Sequence, residues 1–195
     1  ALMSGRLAIR TRTTSGSALP KSEITIADLL SGAGYDTAIF GKWHLGQREG
    51  LYPTDRGFDE WYGIPVSSAT AMFETQFQYD PNLAPMEMVL SSQRGDMPDE
   101  VKIYDQNARR EIDGELVQKA ISFMAGSVKK GKPFFLYLPF TQTHMPTLPH
   151  PDFSGKTGNG DYADALAELD FRAGQILDAI DDLRIRANTV VIWTS

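Results

Sequence analysis

The sequence predicts an α/β fold, a largely parallel sheet flanked by helices, from three observations. Segments with helical apolar spacing alternate with short apolar runs rich in β-branched and aromatic residues. Glycine or proline stands at most of the junctions between them. The run FFLYLPF at 134–140 is apolar without alternation, the pattern of a parallel-sheet strand covered on both faces.

Each element has its own signal. Residues 1–12 read as a helix end stopped by Gly5, then an exposed arm with Arg6, Arg10 and Arg12. The Ser, Thr and Gly of 13–20 make a loop. Ser22 is an N-cap candidate before a helical stripe of Ile24, Ile26, Leu29 and Leu30, which stops at Gly32 or Gly34 and feeds a strand at 37–40. From 45 to 98 the chain is dense in Gly, Pro and aromatics with no long period, which suits functional loops or insertions. Over 105–130, Ile112, Leu116, Ala120, Ile121, Phe123, Met124 and Val128 fit one helix face, with Gly131 as the stop. A helix at 161–183 carries Tyr162, Leu166, Leu169, Ile176, Leu177 and Ile180 as its apolar face. Its acids Asp164, Glu168, Asp170, Asp178, Asp181 and Asp182 are expected on a solvated face rather than in a metal cluster. Residues 189–193, TVVIW, read as one more buried strand, ending at Thr194 and Ser195.

Bulk properties exclude several functions. A chain of 195 residues that is 42% hydrophobic can bury one core, so a single domain is expected. The net charge of -6 disfavours nucleic acid, whose phosphates need a basic surface. No apolar run approaches the length of a membrane span, and no signal-like segment opens the chain. Cysteine is absent, which removes disulfides, thiolate metal sites and a cysteine nucleophile from these residues.

The candidate site lies where strands end. In GYDTAIFGKWHLG, residues 34–46, the strand stops at Gly41 and is followed at once by a cation, an indole and an imidazole. Strand ends of open α/β sheets are where ligands bind. Alternation puts Lys42 and His44 on one side and Trp43 on the other, a pairing suited to an anionic substrate. His144, in THMP after the 134–140 run, stands at a second strand end. His150, between Pro149 and Pro151, reads as a loop residue able to face substrate, and Ser67 on its own as a turn serine.

The string at 34–46 closely resembles the second signature of the sulfatase family, and GLYPTDRGFDEWYGIP at 50–65 resembles the segment that follows it there. ALMSGR at 1–6 is similar to the string that follows that family's first signature, Cys/Ser-x-Pro-Ser-Arg, and His144-x-Pro146 to its histidine motif. The resemblance covers residues 1–195 in order and is weakest near 68–100. It implies the alkaline-phosphatase-like α/β fold, in part. The chain would be the central part of a single sulfatase catalytic domain, truncated at both ends.

By that resemblance the parent is an arylsulfatase-type sulfuric ester hydrolase. It carries a formylglycine made upstream of Ala1 by a formylglycine-generating or sulfatase-maturing enzyme. Calcium is held by three aspartates and an asparagine or glutamine lying outside this chain, and no metal ligand is expected within it. Lys42 matches the lysine that contacts sulfate, His44 the histidine beside the formylglycine hydrate, and His144 the histidine at the leaving group; Ser67 falls where some members keep a serine near the sulfate. The partner is a small-molecule or glycan sulfate ester, with no nucleic acid and no membrane span. The compartment implied is periplasmic, secreted or lysosomal. The fragment alone should not turn over. A phosphatase or phosphonate hydrolase on the same fold, or a non-catalytic homologue that binds sulfated glycans, are the alternatives.

The resemblance makes a direct prediction about the parent reading frame. Sequencing its flanks should find the Cys or Ser of Cys/Ser-x-Pro-Ser-Arg shortly before Ala1 and Asp-Asn directly after Ser195. Unrelated flanks would remove the assignment.

Overall fold

The computed structural model describes residues 1–13, 18–70, 80, 82–83 and 86–194. The loop expected at 13–20, the loops expected over 45–98 and the end of the last expected strand at Ser195 therefore lie partly outside the described residues. Along the chain come α1 (Ala8–Thr11), α2 (Ile26–Gly32), β1 (Asp36–Phe40), a 3-10 turn (Pro53–Asp55), β2 (Glu60–Gly63), β3 (Met88–Gln93), β4 (Asp99–Ile103), α3 (Gln106–Lys130), β5 (Phe134–Tyr137), α4 (Asp161–Asp182) and a second 3-10 turn (Arg186–Asn188).

The five strands form one sheet in the order β4-β3-β2-β1-β5. β1 pairs parallel with both β2 and β5, while β2 with β3 and β3 with β4 are antiparallel. The sheet is therefore mixed, its parallel half holding the strand ends singled out above. β2 and β3 arise inside the stretch without a readable period and β4 directly after it, where β4 as an edge strand is mostly exposed and carries no apolar alternation.

All five residues of β1 are buried, and side-chain alternation divides them between two cores. Ala38 and Phe40 pack with Tyr62, Ile64, Ile112 and Leu116 beneath α3. Ile39 packs on the other face with Met3, Ala27, Trp43, Phe58 and Trp61 beneath α2. α4 joins the α3 side through Ile176, Ala179 and Ile180, which meet Met124 of α3 and Phe134 and Leu136 of β5.

Local chemistry explains most boundaries. Thr25, rather than Ser22, caps α2: its hydroxyl accepts from Asp28 N while the Asp28 carboxylate accepts from Thr25 N. Asp105 caps α3 by accepting from Ala108 N, and Gly131 closes it at φ 68. The chain reverses at Gly5, as expected of a stop signal, but only the four-residue α1 follows it. The segment 50–65 is a set of clamps. Arg56, almost wholly buried, donates to the carbonyls of Leu19, Pro20 and Glu23, and Asp59 accepts from Thr37 N and Thr37 Oγ1.

Three expectations need correction. Residues 189–194 form no strand, and Val190, Ile192 and Trp193 are 86%, 73% and 64% exposed. β propensity makes a strand only where a neighbour completes the ladder, and no described strand pairs with this run. β5 is shorter than 134–140 and half-buried rather than covered on both faces, because it is the edge of the sheet. On α4, Asp164 and Glu168 are buried whereas Tyr162, Leu166 and Leu177 are exposed. The two acids bind the loops beside the helix: Asp164 accepts from Gly155 N, Thr157 N and Thr157 Oγ1, and Glu168 from Gln142 Nε2 and His150 N.

At the end of β1 the backbone leaves no room for a side chain. A Cβ on Gly41, at φ 135, would sit 2.1 Å from the Pro139 carbonyl oxygen, and one on Gly63 would sit 2.0 Å from the Gly41 oxygen. Gly41→Ala should therefore destabilise the chain by about 2–4 kcal/mol. It should be read as a lower urea midpoint at unchanged slope. A loss below about 0.5 kcal/mol would mean that the β5 exit yields without strain.

Candidate active site

The exit of β1 places the candidate residues one by one. Beyond Phe40 the backbone still pairs on both sides: Gly41 N donates to Tyr62 O, Lys42 N to Pro139 O, Trp43 N to Ile64 O and His44 N to Pro65 O. Trp43 turns into the α2-side core, where its Nε1 donates to Leu51 O and its ring meets Phe58 edge-on. His44 then adopts φ 57, a left-handed conformation that few side chains other than Asn, Asp and His take up readily. Its ring keeps an exposed face at the mouth of the sheet.

The chain beyond β5 brings His144 to the same mouth. β5 is the parallel neighbour of β1, so its C-terminal end opens on the same edge. His144 N donates to Thr141 O, and its Nδ1 lies 3.0 Å from Met145 O. A carbonyl can only accept, so while this contact is a hydrogen bond the neutral ring has its proton on Nδ1 and its lone pair on Nε2.

The charge environment of His44 includes both other groups. Loss of water, then the Lys42 ammonium and then His144 hold the His44 imidazole below its ordinary pKa. Burial also lowers the Lys42 ammonium from its usual value. The Lys42 ammonium and the second imidazole thus both act on His44, with no carboxylate among the causes. An arrangement of this kind can bind a small polyoxyanion through Lys42 and pass protons through two rings of different character.

The remaining candidates sit differently. Ser67 lies two residues beyond Pro65, which accepts from His44 N, and is itself buried, its hydroxyl 3.1 Å from Thr70 Oγ1. His150 is engaged by the protein: Nδ1 accepts from Asp152 N at 3.1 Å, and Nε2 lies 3.4 Å from Glu111. The trio does not suit calcium, a hard cation that takes oxygen ligands. Among the described residues no group of three His, Cys, Asp or Glu could hold a metal. The sequence reading missed Arg109 and Asp113 and put Glu168 on a solvated face, whereas all three bind the loop carrying His144. Their signal is present in the sequence. Arg109 and Asp113 fall in phase with Ile112 and Leu116 on a face that should have been wholly apolar.

Comparison with known proteins adds the family context. The model of the Sulfatase family matches residues 1–195. N-acetylgalactosamine-6-sulfatase of Sus scrofa is 34% identical over 209 residues, which cover 100% of this chain and 39% of that protein. Human arylsulfatase A is 29% identical, with 100% of this chain and 41% of that protein covered. The crystal structure of a sulfatase from Pseudoalteromonas sp. superposes with a TM-score of 0.83 at 26% identity, over 94% of this chain and 41% of the other. The chain thus spans about two fifths of the length of the relatives it matches.

The electrostatics of the trio can be measured on this chain. Because the folded value of His44 lies below its unfolded one, the unfolded chain takes up the proton first as pH falls. His44 therefore costs no stability above the ordinary histidine range and removes some below it. Lys42→Met should raise the His44 midpoint in an NMR pH titration, and His144→Ala should raise it by less. An unmoved midpoint in Lys42→Met would separate the two side chains.

Proposed function

The chain belongs to the sulfatase family, and on that premise we propose that it supplies the cationic half of a sulfate-ester hydrolase site, as the central part of one catalytic domain. The observation that carries this reading is the parallel pairing of β1 with β5, which opens the chain after Phe40 and the chain after Tyr137 on one edge, with Lys42 N still bonded to Pro139 O and with Lys42 and His144 both acting on His44. The partial coverage of full-length relatives supports the view that the remaining machinery belongs to other parts of the parent.

Each side chain has a defined task in this reading. The Lys42 ammonium pairs with the sulfate oxygens and offsets the charge that grows on them as the ester bond breaks. His144 has Nδ1 committed to Met145 O, so its protonated ring donates from Nε2 to the departing oxygen. His44, its protonation disfavoured by partial loss of water and then by Lys42, accepts a hydrogen bond from a hydroxyl on the sulfur's other side. Ser67 borders the sulfate pocket through the backbone that runs beside His44.

Calcium and a formylglycine belong to the proposal as groups carried by other segments of the parent. They would supply charge neutralisation and the nucleophile, and a maturing enzyme would install the latter. The substrate is a sulfate ester, and a sugar sulfate has the support of a relative whose name is N-acetylgalactosamine-6-sulfatase. We place the parent in the periplasm, a lysosome or the secreted fraction; no described helix is long and apolar enough to cross a membrane.

A leaving-group series of sulfate esters, assayed in the full-length parent, tests the division of labour. His144→Ala should slow esters of poorly acidic alcohols by about a hundredfold to ten-thousandfold and spare an activated aryl sulfate, whose anion leaves unaided. Lys42→Ala should weaken every ester alike, because all share the sulfate. Equal losses across the series for His144→Ala would remove its proton-donor role.

A further inference from the structure

The segment bearing His144 leaves an edge strand through the buried Thr141 and Gln142 and exposes His144 and Met145 at its tip, where a ring holds no fixed position unaided. α3 begins at the end of the sheet where β1 and β5 exit, as the ion pairs of its last residue, Lys130, with Asp36 at the start of β1 make plain. Its first turns therefore lie beneath the His144 turn. There the helix carries two charged side chains where its apolar stripe should continue: Arg109 is 0% exposed and Asp113 1%.

The side chains of this pair bond the turn above them. Asp113 accepts from Thr141 N at 2.8 Å, Gln142 N at 3.0 Å and Thr141 Oγ1 at 3.0 Å. Arg109 donates to Thr141 Oγ1 at 2.9 Å, Thr141 O at 3.2 Å, Gln142 Oε1 at 2.7 Å and His144 O at 3.1 Å. Gln142 is braced from the opposite side, its Nε2 donating to Glu168 Oε2 on α4 and to Leu148 O. Two buried charges are a costly way to fill space, since well-packed apolar residues often serve stability as well or better. What apolar residues lack is the ability to grip a peptide by its N–H and C=O groups.

We propose that Arg109 and Asp113 are positioning residues for His144. By gripping residues 141–144 they fix the turn in which Nδ1 meets Met145 O, and so present Nε2 to the leaving oxygen. The inference rests on the proton-donor role of His144 given above, and deepens it. Neither residue touches the substrate; each acts through the imidazole.

The test uses the full-length parent and the same ester series, with Arg109→Gln and Asp113→Asn made alone and in the His144→Ala background. Arg109→Gln should lower kcat for the poor leaving groups by up to about a hundredfold, as a misplaced catalytic group does, with KM and the activated aryl sulfate little changed. In the His144→Ala background it should add almost nothing. Histidine 15N shifts should also show the Nδ1–H form of His144 giving way to a tautomer mixture. Should Arg109→Gln not fold, Arg109→Lys keeps the buried charge without the fork, and the same split is expected of it. Equal losses across the series, or losses that add fully to those of His144→Ala, would overturn the positioning role and leave the pair as fold stabilisers. If His144→Ala itself shows no leaving-group dependence, the proton-donor reading fails first, which the single variant reveals.

Discussion

Three backbone segments pass one another at Gly41 with less space between them than a methyl group needs. The Pro139 carbonyl approaches from the β5 side, and Gly63 of β2 packs against the Gly41 carbonyl from the other. This contact lets β1, β2 and β5 leave the sheet together, with Lys42 N still bonded to Pro139 O and Trp43 N to Ile64 O. A bulkier exit would splay the strands and separate the groups that follow them. Position and function are thus coupled through a missing Cβ.

Below that exit, the structure relies on buried polar clamps as much as on apolar packing. Arg56 gathers three carbonyls of the segment before α2, Asp59 ties β2 to Thr37, and Glu168 joins α4 to Gln142 and His150. At the opposite end of β1, burial opposes ionisation of Asp36, but hydrogen bonds from Lys132, Lys130 and Ser127 outweigh it and lower its pKa. Buried charges survive where their donors and acceptors are met. Each clamp here fastens a loop or a helix end, the parts of the chain that apolar contact holds least well.

The candidate site inverts this logic. Lys42, His44 and His144 bring cationic or protonatable groups together and depress the protonation of His44, while His44 also sits in a left-handed backbone conformation. Folding gains nothing from either feature. Local rules broken with no local compensation are the mark of functional sites, and an anion is the partner whose charge would offset these groups in the function proposed above.

Sequence alone determined whatever depends on neighbours along the chain. The period of 105–130 gave α3 nearly to the residue, with Asp105 and Gly131 at its ends, because helix faces and caps are local. The succession Gly41, Lys42, Trp43, His44 placed a cation and an imidazole at a strand exit for the same reason, and the strings at 34–46 and 50–65 carried the family. Tertiary structure decided what depends on a partner distant in sequence. TVVIW remained outside the sheet because a strand is defined by the ladder it joins. Asp164 and Glu168 went inward, and Tyr162 and Leu166 outward, because the loops at 142–157 offered several N–H groups that acceptor oxygens had to meet, and these carboxylates do so. That the His144 and His44 segments leave the sheet on one edge likewise required β5 to lie beside β1, since no local rule specifies which parallel strand becomes whose neighbour.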